Sequence, residues 1–219
     1  MQSSLKNLKV SDSEAKCLEI LSNNDMINAY EIWKLSDYKH YPTILRAIKK
    51  LKNKGFVDES VQEVFKNATY YTINLGGELF YYFISENYDN AFNLLKKDSE
   101  KFKIFYDEFC AVIGGTYTLF NIFERIILLT IKNEKCNIEQ EIEKLAEGII
   151  AGYLNDLVNA LVYDEITYEN DILQSIVKIS KKYKWIYDLN MKGIESSQDW
   201  SRNMYEAYTK IRSMIERSE

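Results

Sequence analysis

Lys39, Arg46, Lys49, Lys50, Lys52 and Lys54 fall within residues 39–54, and no aspartate or glutamate lies among them. The whole 219-residue chain carries a net charge of -5, and its first 90 residues hold 11 basic against 12 acidic side chains. The feature is therefore one of placement, not of net charge. Clustered ammonium and guanidinium groups neutralise phosphates and release their counterions. An arginine can also donate two parallel hydrogen bonds to the O6 and N7 edge of guanine. In the stretch "YPTILRAIKKLKNKGF" (41–56), Ile44, Ile48 and Leu51 recur at helical spacing and predict a buried stripe. Thr43, Arg46, Ala47 and Lys50 are expected on a second, outward stripe, flanked by Lys49, Lys52 and Lys54. A helix that enters the major groove needs an apolar back, small or hydrogen-bonding groups in front, and cations along its sides.

Other chemistries find little support in the sequence. His40 is the single histidine. It lies just before the basic helix and fits a backbone or phosphate contact better than a general base. No HExxH, GxSxG or glycine-rich phosphate loop occurs, and glycines cluster only at Gly76-Gly77 and Gly114-Gly115. Glu139, Glu141, Glu143 and Glu147 read as a solvated helix face. Cys17, Cys110 and Cys136 are odd in number and far apart, with no metal-ligand spacing, and are expected as reduced thiols. No enzyme activity, metal or cofactor is expected.

The elements that must position the basic helix are legible around it. Apolar residues make up 46% of the chain, with eight glycines and one proline, which favours long helices with few irregular loops. "SDSE" (11–14) fits a capping box, and Cys17, Leu18 and Leu21 give the following helix one apolar face. Asn28 is expected to cap a second short helix whose buried side is Ala29, Ile32 and Trp33. Pro42 is expected at the first position of the basic helix, 42–54, and Gly55 at its left-handed cap. "FVDES" and "ATYYTIN" then predict a two-stranded hairpin, and "LGGELFYYFISEN" predicts another helix. Only helical periodicity follows, with helices expected at 88–112, 116–133, 138–163, 168–189 and 197–217.

This order of elements resembles the winged helix-turn-helix fold of transcription regulators of the PadR and MarR-like type. The resemblance rests on "AYEIWKLSDYKHYPTILRAIKKLKNKGFVDE" and "YYTINLGGELF", with Leu51 to Gly55-Phe56 ending the recognition helix and Tyr71, Ile73 and Gly76 following the wing strand. It covers residues 10–85. The chain departs from the PadR pattern at Leu45, where a tyrosine is common, and at Asn74-Leu75-Gly76-Gly77. The resemblance implies a mainly α protein, with a winged helix-turn-helix domain over 1–87 and a helical domain over 88–219 for dimerisation and, where relatives sense a small molecule, for an effector of unknown identity. It implies a homodimer on double-stranded DNA with a two-fold operator, the helix 42–54 in the major groove and the wing 56–74 near the minor groove. Contacts would come from Lys39, His40, Tyr41, Thr43, Arg46, Ala47, Lys49, Lys50, Lys52 and Lys54, with Lys66 and Asn67 at the wing tip. The alternative is an adaptor that uses the same domain to dock proteins without specific DNA binding.

In the second half, "FCAVIGGTYTLFNIF" (109–123) and "GIIAGYLNDLVNALVY" (148–163) are either core or subunit interface. Tyr117, Phe120, Tyr153, Tyr163, Trp185 and Tyr187 are either core or the lining of an aromatic pocket. The first of these segments is shorter than the ~20 apolar residues a membrane span needs. The amino terminus lacks the apolar run of a signal peptide, so a cytoplasmic location without membrane contact is expected.

Overall fold

A computed structural model describes residues 5, 8–62, 68–114, 119–195 and 202–217. The chain is mainly helical, with one small antiparallel sheet. It divides into two compact units, Met1–Asp98 with Asn121–Ile138, and Ser99–Phe120 with Glu139–Glu219. The polypeptide therefore leaves the first unit at 98, returns to it for one helix, and leaves again at 138, where the sequence pattern suggests a single boundary at 87.

In the first unit, helix α1 (Asp12–Ser22) opens on the anticipated capping box. The Ser11 backbone N–H donates to Glu14 Oε2 at 2.9 Å, and Ser11 Oγ accepts from the Glu14 N–H at 3.4 Å. Asn23 and Asn24 end the helix by donating their side-chain amides to the carbonyls of Glu19 and Ile20. A two-residue strand β1 (Ile27–Asn28) follows, too short to leave a mark in the sequence pattern. Asn28 then caps α2 (Ala29–Leu35), accepting from the N–H groups of Tyr30 and Glu31, while the Glu31 carboxylate reaches back to the Asn28 N–H. Ala29 and Ile32 are buried, and Trp33 is half-buried.

Helix α3 runs over Tyr41–Asn53. It begins one residue earlier than the sequence suggests, so Pro42 is its second residue, still among the four whose N–H has no partner inside a helix. Its end is a Schellman motif: Phe56 N–H donates to the Leu51 carbonyl at 3.0 Å and Gly55 N–H to that of Lys52 at 2.9 Å. Gly55 has φ +77°, a conformation that strains any residue with a Cβ. Strands β2 (Val57–Gln62) and β3 (Ala68–Ile73) form the expected hairpin, paired from Val57 with Ile73 to Gln62 with Ala68. β1 pairs with the other edge of β3, giving the order β1-β3-β2. Helix α4 (Leu75–Ile84) begins at Asn74, whose Oδ1 accepts from the Gly77 N–H at 3.0 Å while its amide donates to the Gly55 carbonyl at 2.7 Å.

Helix α5 (Tyr88–Asp98) and the returning helix α8 (Phe120–Ile131) complete this unit. Its core is built from Cys17, Leu18, Leu21, Ile32, Ile44, Ile48, Leu51, Leu79 and Ile127, with a Phe56–Phe80 stack at 4.7 Å and a Phe92–Phe123 contact at 5.0 Å. Each fully buried side chain of this size contributes about 1.5–3 kcal/mol. Thr130 of α8 sits against the end of α3: a Cβ at Gly55 would lie 2.6 Å from the Thr130 carbonyl oxygen, and one at Gly76 would overlap the Thr130 side chain. Glycine at both positions is what lets α8 close on the α3–β2 turn.

The second unit begins where the expected helix 88–112 breaks. Ser99 is buried, accepts from the Phe102 N–H and donates to Glu139, capping α6 (Glu100–Ile104). A π-helical turn (Phe105–Cys110) and a short α7 (Ala111–Ile113) follow. Phe105, Phe109 and Cys110 all point inward, which the wider turn permits. Helix α9 (Ile138–Val162) is the longest. By length and composition it could cross a membrane: its most apolar 18 residues have a mean hydropathy of 1.2, and 28% of them are buried. It is not apolar and enclosed all round. Ile142, Ala146, Ile150, Leu154, Leu157, Val158 and Leu161 form one buried stripe, while Gly148, Ala151, Gly152 and Asp156 are exposed. The expected helix 168–189 is two, α10 (Asp171–Lys182) and α11 (Lys184–Glu195), divided at Tyr183, whose backbone is extended. Helix α12 (Arg202–Glu216) packs on both.

The aromatic residues of this unit are mainly packing. Tyr153 meets Phe109 edge-on at 6.5 Å and donates to the Ile113 carbonyl at 3.0 Å, Trp185 lies 6.4 Å from Phe105, and Tyr163 is 73% exposed. Tyr117 lies outside the described residues. Cys17 and Cys110 are buried, which pushes both thiols up to about 12 and leaves them unreactive; no disulfide joins any two of the three cysteines.

Candidate nucleic-acid interface

Helix α3 presents a sharply divided surface. Ile44, Ala47, Ile48 and Leu51 are buried, while Pro42, Leu45, Arg46, Lys49, Lys50, Lys52 and Asn53 are exposed. Ala47 therefore belongs to the core stripe, at 2% exposure, and not to the outward stripe where the sequence reading places it. The reason is the breadth of the buried face. Ala47 lies three residues after Ile44 and four before Leu51, on the edge of the same face, and α1 and α2 both pack against α3. Thr43 is half-buried, so the front of the helix rotates toward Pro42, Leu45, Arg46, Lys49 and Asn53. Lys50 and Lys52 stand on the two sides.

The entry to α3 is fixed by aromatic packing. Tyr41 lies edge-on to Trp33 at 5.9 Å and to Tyr30 at 6.3 Å, and the Trp33 indole N–H donates to the Tyr38 carbonyl at 2.8 Å. Tyr41 is thus half-buried as a packing residue, whereas Lys39 and His40 of the preceding turn are exposed. His40 is the residue before the helix, and its side chain makes no capping hydrogen bond.

The cations separate into engaged and open groups. Lys54 donates to Glu14 Oε1 at 2.8 Å and to the Lys9 carbonyl at 3.0 Å. Glu14 is itself 3% exposed. Burial pushes its carboxyl up, but the hydrogen bonds from Lys54 and Ser11 outweigh this and hold it below the usual carboxylate range. Lys54, expected as a phosphate contact, is thus engaged within the protein as a clasp between the end of α3 and the start of α1. Lys52 pairs with Glu59 of β2 at 2.6 Å on the surface. Among the described residues, Lys39, Arg46, Lys49 and Lys50 have no ion-pair partner. Both acidic partners, Glu14 and Glu59, escape a reading of α3 alone. Their distance in sequence, 40 and 7 residues, hides them.

The hairpin extends from this surface. Val57 is buried at its base, and Asp58, Glu59, Ser60 and Val61 are exposed. Lys66 and Asn67, expected at its tip, lie outside the described residues. Of the expected contact residues, Lys39, His40, Arg46, Lys49 and Lys50 are exposed, as is the Lys52–Glu59 pair. No family model, curated protein or solved structure matches the chain.

Proposed function

We propose that the chain is a sequence-specific DNA-binding transcription regulator that acts as a homodimer, with a winged helix-turn-helix arrangement in its first unit. The observation that carries this reading is the surface of α3: an apolar back locked into the core, and an exposed front with Arg46 and Lys49 and a flanking Lys50, none of which has an acidic partner among the described residues. In this reading Arg46 reads a base edge from the major groove, while Lys49 beside it on the front and Lys50 at one side meet phosphates. Lys39 and His40 approach the backbone from the preceding turn, and the exposed hairpin lies along the adjacent groove. The pairing of Glu59 with Lys52 keeps that carboxylate from facing phosphate. A two-fold operator requires two copies of the chain, hence the homodimer.

The test is the double variant Arg46→Ala, Lys50→Ala. It should abolish specific binding in a gel-shift or anisotropy titration while the thermal midpoint stays within a few degrees of wild type, since both side chains are exposed. Unchanged affinity in a folded double variant defeats the proposal.

A second reading is an adaptor that docks a protein on the same face. Leu45, 39% exposed on the α3 front, favours it. Leu45→Ala separates the two, because a docking surface would lose its apolar anchor while a phosphate-dominated interface would be little affected.

A further inference from the structure

A second basic run, "KISKKYK" (178–184), lies at the end of α10 and the start of α11, far in sequence from α3. Its four lysines divide in the same way. Lys182 pairs with Glu108 at 2.6 Å, and Tyr183 donates to the same carboxylate at 2.8 Å; together they hold that carboxyl below its usual range. Lys184 is bound by both oxygens of Asp188. Lys178 and Lys181 are exposed, and among the described residues neither head group has a carboxylate within 4.0 Å, although the charge of Lys178 also acts on Glu108 and helps lower that carboxyl. Arg217, just past the end of α12, is exposed and open in the same sense.

These three cations line one groove of about 1280 Å³ within the second unit, together with Gln174, Val177, Tyr187 and Ile215. A lysine in the last turn of a helix is favoured by the helix dipole, which accounts for Lys181 and Lys182. Lys178 has the Glu108 carboxylate in its neighbourhood, but neither effect accounts for Arg217, contributed by a different helix to the same groove. Like charges gathered in a concavity repel one another and are relieved by an anion. We propose that this groove binds a small amphipathic anion, a phosphate or carboxylate head group on an apolar body, held by Lys178, Lys181 and Arg217. Arg217 supplies a planar fork matched to such a head group. Val177, Tyr187 and Ile215 supply the apolar wall.

A compact anion fits better than a nucleic-acid strand. Asp171 at the other end of α10 and Glu216 beside Arg217 also line the groove. They would repel a polyanion running past. The inference does not depend on the DNA-binding reading of the first unit.

The test is calorimetric titration of the full chain with phenyl phosphate, with benzyl alcohol as the neutral comparator. One molecule of phenyl phosphate per chain should bind, at least tenfold more tightly than benzyl alcohol. Lys178→Gln with Lys181→Gln should weaken it at least tenfold, and Arg217→Gln, a separate variant in case the first loses its fold, should do the same. Arg46→Ala with Lys50→Ala should leave it unchanged. Equal affinity in the folded groove variants overturns the proposal. So does equal binding of benzyl alcohol, loss of binding on the α3 substitutions, or displacement of phenyl phosphate by duplex DNA that itself depends on Lys178 and Lys181.

Discussion

If the first unit binds DNA as proposed, Glu59 acts as a brake on that binding. Its carboxylate holds Lys52 at 2.6 Å, with both side chains part-exposed at 34% and 46%. A surface pair of this kind is worth about 0–1 kcal/mol to folding, so Glu59→Gln should leave the thermal midpoint almost unchanged. Its effect on DNA should be much larger. Freeing Lys52 adds one phosphate contact per protomer. Each contact steepens the dependence of log K on log salt by about 0.9, hence by about 1.8 for a dimer. The ratio of variant to wild-type affinity should therefore grow by about 60-fold as salt falls from 1 M to 0.1 M. Fluorescence anisotropy with a selected operator over a salt series measures both quantities. Lys52→Ala in the Glu59→Gln background should restore the wild-type slope. An unchanged slope in Glu59→Gln would mean that Lys52 does not reach phosphate even when released, and the placement of α3 and the hairpin on DNA would be wrong.

Three further outcomes follow from the packing. Glu14→Gln should destabilise the fold by about 1–3 kcal/mol, the range for a buried charged hydrogen-bond partner removed. Because the folded Glu14 carboxyl lies below its ordinary value of 4.5, its contribution is complete above that value and is lost as pH falls through the folded one. The wild-type urea midpoint should therefore approach that of Glu14→Gln as pH is lowered below about 4.5, and a constant gap would refute the Lys54–Glu14 clasp. Gly76→Ala should destabilise the first unit by about 2 kcal/mol or more through overlap with Thr130, with partial rescue by Thr130→Gly, read from urea unfolding. Ala47→Lys, which would be harmless or helpful on an outward face, should unfold or strongly destabilise the protein in circular dichroism melts, because Ala47 is enclosed.

Local chemistry was legible and long-range partnership was not. Ser11 with Glu14, Asn28 with Glu31, and Gly55 each act over a few residues, so their types and spacing are enough to place helix ends. The hairpin was equally readable from β-branched and aromatic runs. Ala47 was misplaced because an alanine carries no hydrophobic signal strong enough to show which of two faces it belongs to; the packing of α1 and α2 decides. Ser99 and Tyr183 broke helices that the apolar period alone carries straight through, since the period persists across a break whose cause is a side-chain cap or an extended residue. The engagement of Lys52 and Lys54 depends on residues brought near by the fold, so a count of lysines overstates the open charge of α3. The same rule of pairing reveals the open cations of α10, which the run "KISKKYK" signals only in part.

The most direct measurement is selection of bound sequences from random duplex DNA by the full-length chain at low salt. Enrichment of a two-fold motif, lost in the Arg46→Ala, Lys50→Ala double variant, is the predicted result. Recovery of no motif, or of the same motif by the double variant, would contradict the account.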